Sequence, residues 1–156
     1  MKKAQKATMA PGDLLAIYEA LDRVQAIIEF NLDGTVVSAN ENFLQILGYD
    51  SDEIVGKHHR IFCDPSYAES AAYAEFWQKL GRGEYHSDEF KRITKNGDEV
   101  WLQASYNPVF NKDGEPVRVV KFATDVTATK LQTAEFEGKI RAIDRAQAVI
   151  EFGLDG

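Results

Sequence analysis

Apolar and polar positions along the chain change rhythm several times, and each change predicts an element. Asp13 follows Pro11-Gly12 as a helix N-cap, and Leu14, Ile17, Leu21 and Val24 recur at spacings of three and four, which predicts an amphipathic helix over 13–25. Its apolar stripe suits either the domain's own sheet or a partner helix. Ile27, Ile28 and Phe30 are β-formers, Asp33-Gly34 is a hairpin turn, and Thr35–Ser38 returns as a strand. Asn40 to Leu47 reads as a short helix with Phe43, Leu44 and Leu47 inward and Gly48 near its end. Another helix is expected over Ser51–Val55 with Ser51 as its cap. The stretch GKHHRIFCDP has no clear period and reads as a loop or a single helical turn. From Ser66 to Leu80 the helical period returns, with Tyr73, Phe76, Trp77 and Leu80 on one face. Three strands follow, Tyr85–Thr94, Glu99–Phe110 and Val117–Val126, joined by the turns Lys95–Asp98 and Asn111–Gly114. Thr127 to about Ala146 is helical again, with an imperfect apolar stripe through Leu131, Phe136, Ile140 and Ile143. The order β-β-α-α-α-β-β-β predicts an α+β fold: one five-stranded antiparallel sheet with helices on one face.

The opening strand has an echo. Ala20–Gly34 (ALDRVQAIIEFNLDG) and Ala142–Gly156 (AIDRAQAVIEFGLDG) agree at 11 of 15 positions, with an offset of 122 residues. That spacing is far longer than a solenoid unit and points to tandem domain duplication. The expected organisation is a flexible N-terminus over 1–12, an N-terminal helix over 13–25, a domain over 26–127, a connecting helix over 128–147, and the first hairpin of a second domain over 148–156.

Composition narrows the function classes. The 156 residues are enough for one domain with a real core. A formal net charge of -7 argues against a nucleic-acid partner, because phosphate contact needs a positive surface. No apolar run reaches the length of a membrane span, and the basic N-terminus lacks a signal-peptide core. Cys63 is the single cysteine, which fits a reducing, cytoplasmic setting.

The strand-DG-strand pair, ANENFLQILGY, KRITKNGDEVW, ASYNPVFNKDGEPV and the closing FATDVT together resemble a PAS domain over about residues 14–127. GKHHRIF, the EFW helix and the NPVF…KFATDVT ending are similar to the tandem PAS units that precede methyl-accepting signalling modules in Aer-like aerotaxis transducers. The resemblance implies a sensor of oxygen, redox or energy state that acts through a bound cofactor. It also implies a downstream signalling module and a chemotaxis kinase in the parent protein, and a homodimer formed through the N-terminal and connecting helices.

The cofactor expected first is FAD. Trp77 resembles the long-helix tryptophan of FAD-binding aerotaxis sensors, and an indole can stack on a ring and donate one hydrogen bond. Asn40 matches the asparagine of the family's AN-x-x-F motif and suits either a flavin edge or a helix cap. Ser105 and Asn107 on the central strand are further candidates for a flavin ring. The alternative is haem b, with His58 or His59 as axial ligand from the short helical turn; the two are adjacent, so both cannot face a pocket in a regular element. The plain reading of each is a surface or capping histidine. A third alternative has no cofactor, with Tyr73, Phe76, Trp77 and Phe90 filling the space as core and the domain serving as an interaction module. A flavin-cysteine adduct is not expected, since His59 stands where light-sensing relatives carry the reactive cysteine and Cys63 lies four residues later. The chain shows no nucleophile-base set, phosphate loop or metal spacing beyond His58-His59, so it reads as a non-enzyme.

Overall fold

A computed structural model describes residues 8–154, with side-chain surroundings through Gln147. Five strands form one antiparallel sheet in the order β2-β1-β5-β4-β3. They are β1 (Ala26–Phe30), β2 (Val36–Ala39), β3 (His86–Ile93), β4 (Glu99–Phe110) and β5 (Pro116–Asp125). The first hairpin therefore joins the second through β1 and β5, strands that lie far apart in sequence and centrally in the sheet. Between β2 and β3 come α2 (Glu41–Leu47), α3 (Ser51–Ile54), a 3₁₀ turn over His59–Phe62, α4 (Pro65–Ala68) and α5 (Ala71–Gly81). These elements cover one face of the sheet. Helices α1 (Pro11–Val24) and α6 (Thr127–Leu154) flank the domain.

The core lies between that covered face and the insert. Alternation sets which side chains enter it, since successive residues of a strand point to opposite faces. Ile28 and Phe30 of β1, Phe90 of β3, Leu102, Ala104 and Tyr106 of β4, and Val119 and Ala123 of β5 face inward. Phe43, Leu47, Ile54, Phe62, Tyr73, Phe76, Trp77 and Leu80 meet them from the insert. Burial of this many large side chains is the main stabilising term, at about 1.5–3 kcal/mol for each large apolar residue.

Several local expectations shift. Helix α1 begins at Pro11, which has no N–H to lose, with Ala10 as N-cap; Asp13 lies in the first turn instead of capping it. Asp50, one residue before Ser51, caps α3 through a reciprocal box with Glu53. The single helix expected over Ser66–Leu80 is two helices. Ser70 breaks it by accepting from the Tyr73 N–H and donating to the Tyr67 carbonyl. No residue of α1 is buried, so its apolar stripe faces outward and does not pack into the sheet's core. Helix α6 continues through Leu154, across the stretch where the repeat predicts a strand. A strand needs a neighbour to pair its backbone groups, whereas a helix pairs them within itself. The expected N-terminal flexibility over 1–7 and the second turn at Asp155-Gly156 fall outside the described residues. Among the described residues no helix is long and apolar enough to cross a membrane.

Candidate functional site

The six candidate residues separate into three groups. Asn40 is the N-cap of α2. Its Oδ1 accepts from the Phe43 and Ile27 N–H groups at 3.0 and 2.9 Å. Its Nδ2 donates to the carbonyls of Gln25 and Asp22 at 2.8 and 3.2 Å, and to Asp22 Oδ1 at 3.1 Å. The amide thus ties α1, β1 and α2 together, and the capping alternative is the one realised.

Ser105 and Asn107 lie on the outer face of β4. Their partners across the ladder are Phe122 and Val120, while the inward positions are Ala104 and Tyr106. Asn107 Nδ2 donates to Ser105 Oγ at 3.0 Å and to the Val120 carbonyl at 3.2 Å. Neither side chain reaches the core, which corrects the expectation that they face a ligand there.

His58, His59 and Trp77 converge. His58 stands just before the 3₁₀ turn. Its Nδ1 accepts from the Arg60 N–H at 3.1 Å, so its Nε2 carries the proton donated to the Asp33 carbonyl at 2.8 Å. Both nitrogens are used in holding the β1–β2 turn. That turn needs Gly34, at φ +91°, because a Cβ there would stand 2.6 Å from His58 Nε2 and 3.1 Å from Trp77 Cε2.

His59 begins the 3₁₀ turn and is fully buried. Its Nδ1 lies 2.8 Å from the Tyr73 hydroxyl and its Nε2 lies 2.9 Å from the Tyr106 hydroxyl. Arg92 Nη2 donates to that same Tyr106 oxygen at 3.1 Å, which directs the Tyr106 hydrogen to His59 Nε2. Burial, with Arg92 and Lys121 nearby, holds the imidazole well below its usual range and keeps it neutral. The remaining proton then sits on Nδ1 and is donated to Tyr73. Burial pushes the Tyr106 phenol up to about 12, and the Tyr73 phenol is raised by the same cause. The Cys63 sulfur is 3.6 Å from His59 Nδ1, and burial raises its thiol too, away from thiolate chemistry.

Trp77 packs edge-on to Phe30 and His59, with ring centroids 5.4 and 5.3 Å apart. Among the described residues its buried Nε1–H has no hydrogen-bond partner, and neither has Arg92 Nε. Arg92 and Lys121 are functional-site candidates that the sequence reading missed. Each occupies an inward position of its strand, Arg92 two residues after Phe90 and Lys121 between Val119 and Ala123. A charge at inward parity was the available signal. Among the described residues no group of three or more His, Cys, Asp and Glu side chains is placed to hold a metal ion.

Comparison with known proteins agrees with this architecture. A family model described as PAS fold matches residues 36–123. The biofilm dispersion protein BdlA of Pseudomonas aeruginosa is 50% identical over 137 residues, covering 88% of this chain and 33% of that protein. The aerotaxis receptor of Escherichia coli is 30% identical over 124 residues, covering 80% of this chain and 24% of the receptor. The chain thus spans a third or less of these relatives. The solved PAS domain of a Colwellia psychrerythraea protein superposes with a TM-score of 0.65 at 20% identity, over 74% of this chain and 98% of that one. A light-oxygen-voltage domain studied with a flavin analogue superposes with a TM-score of 0.60 at 23% identity, over 78% and 96%. Both are likenesses of fold.

Proposed function

The chain belongs to the PAS-fold family, and from that premise we propose that it is the sensor unit of an aerotaxis-type chemotaxis transducer. In this reading it senses redox or oxygen state through a flavin, FAD, held between the inner sheet face and α5. The role is binding and signalling, without catalysis. The parent protein carries the signalling module that addresses a chemotaxis kinase, in the cytoplasm, and two copies associate through α1 and α6.

One observation carries the reading. Among the described residues two buried N–H groups, on Trp77 and Arg92, have no partner, and they lie beside a neutral histidine and two phenols. Buried donors are almost always satisfied in native proteins, so an unpaired one calls for a partner, and a ligand acceptor is the partner this reading supplies. A flat heteroaromatic ring bearing carbonyl and nitrogen acceptors fits Trp77 as a donor and the surrounding rings as stacking partners. Asn40, Ser105 and Asn107 are not part of this interior cluster, so Trp77 is the flavin candidate that stands. Bound flavin would supply one- and two-electron redox chemistry. The protein's part is to orient the ring and exclude water.

A second reading, haem, is favoured by His59 alone. It is a neutral imidazole on the short turn, directed into the interior, the form in which histidine binds iron. Because both its nitrogens are bonded to tyrosines, ligation would exchange one hydroxyl for the metal. His58 is committed to the β1–β2 turn and does not compete for that role. The absorbance spectrum of the purified protein tests both readings. Flavin gives paired visible bands and haem a sharp Soret band, and a colourless protein at full occupancy would remove both.

A further inference from the structure

The echo of the opening stretch gains meaning from the contacts its first copy makes. Every residue of α1 is exposed except Asp22, which is half-buried, as is Gln25, where the helix ends. Two carboxamides hold that end. Asn40 Nδ2 donates to the Asp22 carboxylate at 3.1 Å and to the Gln25 carbonyl at 2.8 Å. Asn42 Nδ2 donates to the carbonyls of Asp22 and Gln25 at 3.0 and 3.1 Å. These carbonyls can accept because the chain turns extended at Gln25, so the helix supplies no N–H four residues on.

The second copy keeps these residues and not those before them. Asp22 and Gln25 recur as Asp144 and Gln147, whereas none of the seven residues Asp13–Glu19 is identical to its counterpart in 135–141. Downstream, 148–152 (AVIEF) repeats β1 (AIIEF) with valine for one isoleucine. In β1, Ala26, Ile27, Ile28 and Phe30 are buried, and the strand is paired on both sides. In α6, by contrast, Asp144 and Gln147 are exposed. The helix runs on through Leu154, which pairs their carbonyls with the N–H groups four residues on. The joint that fastens α1 is therefore repeated, residue for residue, on a helix surface where this unit does not bury it.

We propose that the Asp144–Gln147 segment of α6 is the docking site for a second PAS-fold unit carried on the same chain. With that unit in place α6 ends near Ala146, and 148–152 becomes the first strand of the second sheet. The freed carbonyls and the Asp144 carboxylate then accept from side-chain amides at the start of that unit's first helix after its hairpin. The α1–α2 joint fixes the spacing, with donors eighteen and twenty residues after Asp144. The N–H and C=O groups of 148–152 exchange partners within the helix for partners on two neighbouring strands, so none is left unpaired. One helix thus serves as the exit from the first unit and the entry to the second. This docking rests on the duplication and not on which cofactor either unit holds.

Amide exchange in the full-length parent protein decides it. Asp144→Ala removes the carboxylate acceptor, so exchange across 148–152 speeds up about fivefold, the worth of one hydrogen bond, while β1 is unchanged. Asp22→Ala does the reverse, speeding β1 and sparing 148–152. In an uninterrupted exposed helix Asp144→Ala has the opposite sign, because alanine is the better helix former. Unchanged or slower exchange at 148–152 therefore overturns the proposal, and so does equal acceleration of β1. Asp144→Asn keeps an Oδ1 acceptor and exchanges at the wild-type rate; a rate as fast as that of Asp144→Ala overturns the hydrogen-bonded joint. Protection at 148–152 that rises with protein concentration would assign the site to Asn40 of another copy and overturn docking within one chain.

Discussion

Asn40 uses every hydrogen-bonding group of its amide within the protein, and that has a measurable consequence. Asn40→Ala removes the α2 cap and strands the Ile27 N–H, so it should cost about 2 kcal/mol in urea unfolding. Its effect on the cofactor content of the folded fraction should be nil; loss of cofactor from folded protein would return Asn40 to the ligand site. His59 gives a second residue-scale test. Its folded-state value lies well below the ordinary 6.5, so in the window between the two the unfolded chain binds the extra proton. The stabilising contribution is therefore complete above about pH 6.5 and declines as pH falls below it. Urea midpoints measured down to about pH 5.5 should fall in wild type and follow a flatter profile in His59→Leu. At this scale the sequence was legible wherever a period existed. Val100, Leu102, Ala104 and Tyr106 alternate inward along β4, and that parity already places Ser105 and Asn107 outward. His58 and His59 sit in a 3₁₀ turn too short to show a period, so only the packed structure distinguishes the capping histidine from the buried one.

At the scale of elements, the informative joint is between β5 and α6. Asp125 Oδ1 accepts from the Thr127 N–H at 2.9 Å and from its hydroxyl at 2.6 Å. Thr127 Oγ1 in turn accepts from the Trp101 N–H on β4 at 2.9 Å. Lys130 then lies 3.9 Å over the Trp101 ring and pairs with Glu89 of β3. The first turn of α6 is thus fastened to three strands. Asp125→Ala should cost about 1 kcal/mol. Amide exchange across Thr127–Lys130 should speed up while that of β1 stays unchanged; uniform acceleration through the sheet would show that the joint is not local. An Asp-x-Thr pair at a helix start is legible in sequence because capping chemistry is local. The break between α4 and α5 was not, because a helix of four residues lends no periodicity and the decisive contact is a serine side chain bridging two backbones. The strand expected near Ala148 shows the converse limit. The stretch nearly repeats Ala26–Phe30, yet the strand at Ala26–Phe30 is held by pairing with β2 and β5, which a local repeat does not encode.

At the scale of the whole molecule, two apolar stripes face solvent. Leu14, Ile17 and Leu21 of α1 are 55%, 47% and 39% exposed, and Leu131, Phe136 and Ile143 of α6 are more than half exposed. If these stripes join two copies, light scattering should give a dimer mass, and Leu14→Glu with Ile17→Glu should shift it to monomer without lowering Tm. A monomer at high concentration in wild type would remove the dimer from the proposed function. The sheet and its order followed from hairpin turns and alternation, signals that are strong in sequence. The inward placement of Arg92 and Lys121 did not, because lysine and arginine are read as surface residues until the ladder places them.

The sheet order has one more consequence. Ala26 opens β1 directly after α1 and pairs with Ala123, three residues before Val126 hands the chain to α6. Gln25 and Thr124 meet across the same gap. The polypeptide therefore leaves the domain beside the point where it arrived. The ends of α1 and α6 nearest the sheet thus stand side by side at one edge of the β1–β5 pair. Whatever the interior encloses, the two helices start from one shared pair of strands, so they share a single anchorage.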